Sequence, residues 1–229
     1  MEMQFRWTAS VLSGLALLLF SARFTGAAEF TLKAVDKEPP QEIDASIRSR
    51  LQTRTVQLLD GEKPACEFWF SAEIPLQAKP ASTTKALDAV KQAALLGVVS
   101  VASDKRDYRD DELPAGVYTM RFALQPQDGN HLGTSEFSYY AVLVPAKLDT
   151  KPDGIADYKA LVKASSKETA TDHPVILSLR PASSAEVEFP KLNEPAPGHK
   201  SVRVNVPAKA GEEKTGLVFE IVYQGKGKK

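Results

Sequence analysis

Along most of this chain apolar residues recur at every second position, which puts them on one face of an extended strand rather than on a helix. Over residues 117–124, Tyr118, Met120, Phe122 and Leu124 fall on one side while Thr119 and Arg121 point the other way. That is the pattern of a half-buried strand with its second face toward water. The same alternation returns in Val202, Val204 and Val206, in Leu217, Phe219, Ile221 and Tyr223, and in Val175, Leu177 and Leu179 behind Pro174. Residues 137–144 are apolar almost throughout, which fits a central strand covered on both sides. Residues 55–59 and 65–70 flank Asp60-Gly61, a pair that supplies the positive φ of a tight reversal, so the two read as a hairpin. A first strand is expected from Phe30 to Ala34, ended by Pro39-Pro40.

Two segments carry helical spacing instead. Residues 83–95 place Leu87, Val90 and Ala94 on one face behind Ser82 as an N-cap. Residues 155–163 set Ala156, Tyr158, Leu161 and Val162 around Lys159 and Lys163 after Asp153-Gly154. Strands and helices do not alternate as a parallel α/β sheet requires. The expected architecture is an all-β, antiparallel β-sandwich, immunoglobulin-like or jelly-roll-like, of about eight strands with one or two short helical insertions.

Residues 1–28 have the three parts of a secretory signal: Arg6 near the start, the apolar run of residues 11–20, and small residues ending in Gly26-Ala27-Ala28. The run is shorter than the roughly 20 apolar residues of a membrane span, so cleavage after Ala28 is expected, with no transmembrane span left. The expected location is periplasmic or secreted. Residues 29–224 then form one domain, and the lysine-rich residues 225–229 a disordered tail.

Charge narrows the partners. With 29 Lys+Arg against 29 Asp+Glu the chain of 229 residues is neutral, so the basic footprint of a nucleic-acid binder is absent. A content of 43% hydrophobic residues excludes a disordered chain, and a single cysteine excludes a disulfide-stapled one. That cysteine, Cys66, lies among Phe68, Trp69 and Phe70 and reads as a buried thiol, with nothing beside it to activate it.

The chemical signatures searched for are missing: no nucleophile elbow, phosphate-binding loop, dinucleotide glycine pattern, His-Glu-x-x-His or paired cysteines. The densest polar feature is the loop of residues 125–135, holding Asp128, Asn130 and His131 between two of the best strands. Asp128 and His131, joined by His173 if strand order brings their loops together, have the ligand types of a zinc site with an open position. The same Asp-Gly-Asn-His run is also turn chemistry, and that reading is favoured. His199 reads as an exposed loop histidine, and residues 104–112 as a solvated loop of interleaved charges rather than a calcium site.

Aromatic residues offer a second candidate. Phe68 and Phe70 share a face while Trp69 takes the other, and an exposed Trp69 would stack on sugar rings; core or inter-element packing is the favoured reading.

One stretch also carries a resemblance. Glu67-Phe68-Trp69-Phe70, Glu73-Ile74-Pro75, Leu96-Gly97-Val98-Val99, the run from Leu113-Pro114-Ala115-Gly116 to Phe122, Leu143-Val144-Pro145-Ala146 and His173-Pro174-Val175 together span residues 65–179. The region resembles a group of uncharacterised secreted bacterial β-sandwich proteins, a domain of unknown function. The resemblance implies export and a sandwich, and it carries over no catalytic residue.

The functional expectation is an exported, non-enzymatic binding or structural module of the cell envelope or extracellular space. It needs no cofactor, and its expected partner is an extracellular polymer or an envelope protein. The rim loop with Asp128, Asn130, His131 and His173 is the expected contact. The alternative is a metal-assisted hydrolase built on Asp128, His131 and His173.

Overall fold

The computed structural model describes residues 30–108, 110–125, 136–153, 155, 157–168, 173–182 and 189–225. In chain order they form β1 (Phe30–Asp36), α1 (Ala45–Arg48), β2 (Leu51–Asp60), β3 (Lys63–Ser71), β4 (Ile74–Leu76), β5 (Leu95–Val101), β6 (Lys105–Arg106) and β7 (Glu112–Leu113). These are followed by β8 (Gly116–Leu124), β9 (Tyr139–Pro145), α2 (Tyr158–Ser165), β10 (Ile176–Pro181), β11 (Lys191–Ala196), β12 (His199–Ala210) and β13 (Glu213–Gln224). The signal-like residues 1–28, the loop with Asp128, Asn130 and His131, and the last lysines lie outside the described residues.

The all-β expectation holds, but the two-sheet sandwich gives way to one curled sheet. The strands pair in the order β1-β2-β3-β5-β8-β9-β10-β13-β12-β11, each neighbour antiparallel. β4 leaves the end of β3 and pairs in parallel with the end of β12, Ile74 opposite Ala208. Because β3 and β12 are far apart in that order, the pairing requires the sheet to bend back on itself, giving a half-barrel. Across the bend Phe70 meets Phe219 edge to face, ring centroids 6.5 Å apart.

Alternation decides what fills the bend. Cys66, Phe68, Phe70, Tyr118, Met120, Phe122, Leu177, Leu179, Leu217, Phe219 and Ile221 all point inward into one core. The segment between β4 and β5 closes this core on its concave side with Leu87 and Val90. Here the expected helix of residues 83–95 is a 3-10 turn, Thr83–Ala89, after which Val90 is extended and bridges Leu76. The physical reason is twofold: Ser82 makes no capping bond, and the buried residues Ala86, Leu87, Ala89 and Val90 crowd together instead of lining one helical face. The second expected helix begins later than its apolar pattern, at Tyr158, because Asp157 accepts from the Lys159 amide and caps it there. The single turn α1 was not expected; Asp44 caps it by accepting from the Ser46 amide and hydroxyl.

The outer face of the sheet is not left to water. Ile43, Ile47, Leu51, Trp69, Leu95 and Val98 form one outer cluster, and Tyr140, Val142, Val144, Leu161 and Ile176 another under α2. Thr119 and Arg121, expected to face solvent, are fully buried on this side. Residues 146–152 lie over them and supply Asp149, whose carboxylate takes Arg121 Nε at 2.7 Å and the Thr119 hydroxyl at 2.5 Å. A polar strand face pairs either with water or with a buried polar partner, and period-two alternation does not distinguish them.

Candidate functional site

The two ends of the half-barrel differ. At one end β4 and the Thr83–Ala89 turn cover the interior. At the other, where β1 begins, β2 turns into β3 and β13 ends, residues 102–108 and 110–115 cross the opening as a strap around the β6–β7 hairpin. Among the described residues the strap is tied by Ala102, which donates to the Ala65 carbonyl, by Lys105 Nζ to the Tyr223 carbonyl at 2.7 Å, by the Ile176 amide to Asp107 Oδ2 at 3.0 Å, and by the Tyr118 hydroxyl to the Pro114 carbonyl at 2.8 Å. Asp107 Oδ1 also accepts from the Asp111 amide, so its carboxylate holds the strap's own turn as well as β10. The segment expected to be a solvated loop is thus anchored, with Asp107 3% exposed and Leu113 1%.

Beside the strap lies a cleft of ≈ 340 Å³. Phe30, Leu58, Ala65, Cys66 and Tyr223 give it an apolar wall, and Lys105 and Asp60 stand among the polar groups that line it. Phe30 and Tyr223 meet edge to face at 5.0 Å, joining the first strand to the last across the opening. Barrel mouths that combine apolar walls with a few polar groups are common ligand sites.

The chemistry of this wall is set by burial. Cys66 is enclosed as expected, and desolvation pushes its thiol up while the nearby Lys105 ammonium pulls it down. Burial likewise pushes the Tyr223 phenol up, with Cys66 and Glu194 adding to the effect. A thiol and a phenol so shifted stay neutral at physiological pH and serve the wall as polarisable, apolar groups. Lys105 forms no ion pair with a described carboxylate; it donates to the neutral Tyr223 carbonyl.

The residues singled out from the sequence are placed elsewhere. Trp69 is 1% exposed and its Nε1 donates to the Lys37 carbonyl at 2.9 Å, so it offers no ring to a sugar. The core reading of Trp69 holds and the aromatic-platform alternative falls: α1 covers that face, and the Lys37 ammonium sits over the ring at 5.5 Å. Asp128, Asn130 and His131 lie outside the described residues, but Gln125 and Glu136 on either side of their loop are at the covered end, where Leu124 pairs with Tyr139. His173 precedes β10 at the strapped end, since Ile176 pairs with Val142 further along β9. The strand order therefore separates His173 from the two ends of that loop. Among the described residues no three His, Cys, Asp or Glu side chains are grouped to hold a metal. His199, expected in an exposed loop, is the half-buried first residue of β12 and packs near Tyr108.

The cleft itself was not foreseen. Its residues come from β1, β2, β3, the strap and β13, and only Cys66 and the charged run around Lys105 stood out individually. A comparison with protein-family models, with curated proteins and with solved structures finds no match for this chain.

Proposed function

We propose that this chain is an exported, non-enzymatic binding protein of the cell envelope or extracellular space that holds a small molecule at the strapped end of its half-barrel. The observation that carries the reading is the ≈ 340 Å³ cleft whose apolar wall joins residues of β1, β2 and β3 to Tyr223 at the end of β13. Its volume is within the range of roughly 300–1,000 Å³ usual for small-molecule sites. The signal-like order of residues 1–28 supports export, and the lone thiol buried in the wall is compatible with an oxidising compartment. A cleft of this size favours a small molecule over the extended surface an extracellular polymer would need.

The test has two arms. Residues 1–28 fused to a reporter active only outside the cytoplasm should give activity, and a silent fusion removes export from the proposal. For the cleft, the uncharged dye Nile red should brighten on titration with the purified chain. Ala65→Phe, which fills the wall, should abolish the signal while the circular dichroism spectrum stays unchanged. Equal dye binding by wild type and the filled variant overturns the cleft reading.

A further inference from the structure

We infer that the cleft takes a single-chain amphiphile with an anionic head, the head pairing with Lys105 and the tail lying along Phe30, Leu58, Ala65, Cys66 and Tyr223. The inference rests on the binding function proposed above and deepens it by naming the ligand class.

The tail follows from the wall. Half-buried Phe30 and Ala65 present the accessible apolar surface, backed by the buried Leu58, Cys66 and Tyr223, so a chain lying there meets apolar groups and must itself be apolar along its length. The volume is near the lower end of the range for ligand sites, which fits one chain and not a two-tailed lipid.

The head follows from the balance of charges around the cleft. Among the described residues, the charged side chains that line it are Asp60, Lys105, Arg106, Asp107 and Asp110. Asp107 is committed, both carboxylate oxygens accepting backbone amides behind the strap. Arg106 is turned along the strap, donating to the Asp110 carbonyl with a second nitrogen 3.9 Å from Glu112. Asp110 holds the strap's turn with a left-handed φ of 72°, its amide donating to the Asp107 carbonyl. Asp60 stands exposed at the β2–β3 turn, where water makes it a weak partner. Lys105 is different: half-buried, close enough to lower the Cys66 thiol, and donating to one neutral carbonyl with the remaining ammonium protons not bonded to any described residue. A partly desolvated ammonium beside an apolar wall is matched by a carboxylate, sulfate or phosphate head at the end of a hydrocarbon chain.

Decanoate, decanol and decyltrimethylammonium, each below its micellar concentration, separate these terms by displacement of Nile red from the purified chain. Decanoate should bind about tenfold more tightly than decanol, the value of one charge-assisted hydrogen bond, and the cationic amphiphile weakest. Lys105→Gln should reduce decanoate to the affinity of decanol and leave decanol unchanged, while Lys105→Arg keeps the preference. If decanol or the cation equals decanoate, or if Lys105→Gln retains the preference, the anionic head is overturned while the cleft remains a binding site. If the dye itself fails to bind, the proposed function falls with it.

Discussion

Arg121 and Asp149 meet in a two-pronged ion pair with both side chains fully buried, Nε to Oδ2 at 2.7 Å and Nη2 to Oδ1 at 3.0 Å. The guanidinium also donates to the carbonyls of Lys151 and Pro152, at 2.6 and 3.2 Å. One strand residue thereby fixes the whole segment that covers the outer face of β8. A charge pair in such a place is costly to break, because the remaining partner has no water to turn to.

Arg121→Met is therefore expected to lower the unfolding free energy by about 3–5 kcal/mol, since it strands the Asp149 carboxylate in the interior. Adding Asp149→Leu should recover part of that loss, because it removes the stranded charge, while the Lys151 and Pro152 carbonyls still lack the guanidinium they accept from. Urea denaturation of the single and double variants measures both. A double variant no more stable than the single one would show that the pair is not the source of the cost.

Stability should fall in alkali before it falls through the neutral range. Burial raises the Cys66 thiol above its ordinary 9.0, and burial with the hydrogen bond to Asp88 pushes Tyr139 up from 10.0 to about 12. Each group holds its proton in the folded chain at a pH where the unfolded chain has released it. The stability this lends is complete below the ordinary value and disappears as pH climbs from there through the folded value. For the thiol the limiting slope is about 1.4 kcal/mol per pH unit. Unfolding followed at pH 8, 9 and 10, steps of about one unit, should show the decline, and Cys66→Ala should remove its first part.

Asp107 ties the strap to β10, so its loss should act locally. Asp107→Asn replaces one accepting oxygen by a donor that faces the Ile176 or the Asp111 amide, at an expected cost of about 1–3 kcal/mol. Hydrogen exchange should accelerate through the strap and at the start of β10, with β2, β3 and β12 unchanged. Uniform acceleration across the sheet would mean that the carboxylate supports the whole fold.

The strands were readable because alternation and turn chemistry are local. The β2–β3 hairpin follows from Asp60-Gly61, with Gly61 at φ 60°, and the inward set of β13 is the one its spacing gives. Closure of the sheet was not readable, since the parallel pairing of Ile74 with Ala208 joins distant segments with no signature in either. The same distance hid the role of Arg121: its side of β8 looked wet until Asp149 was placed opposite. The cleft was hidden in the same way, with Phe30, Lys105 and Tyr223 unremarkable until the curl brings the first strand to the last.

Gly97 gives the sharpest test of how β5 sits on β3. It lies at a break in the β5–β8 register with φ 153°, and it pairs with Phe70 on the other side. A Cβ there would stand 2.3 Å from the Trp69 carbonyl oxygen and 2.9 Å from the Phe70 Cα. Both are backbone atoms of the neighbouring central strand, so neither can swing aside as a side chain would. Gly97→Ala must therefore push β5 from β3, at a cost of about 3 kcal/mol or more. Gly116→Ala is the matched control: its nearest contact would be the Tyr118 ring at 3.4 Å, a side chain able to yield, and the cost should stay near about 0.5 kcal/mol. Comparable denaturation midpoints for the two variants would show that β5 approaches β3 less closely than this geometry requires.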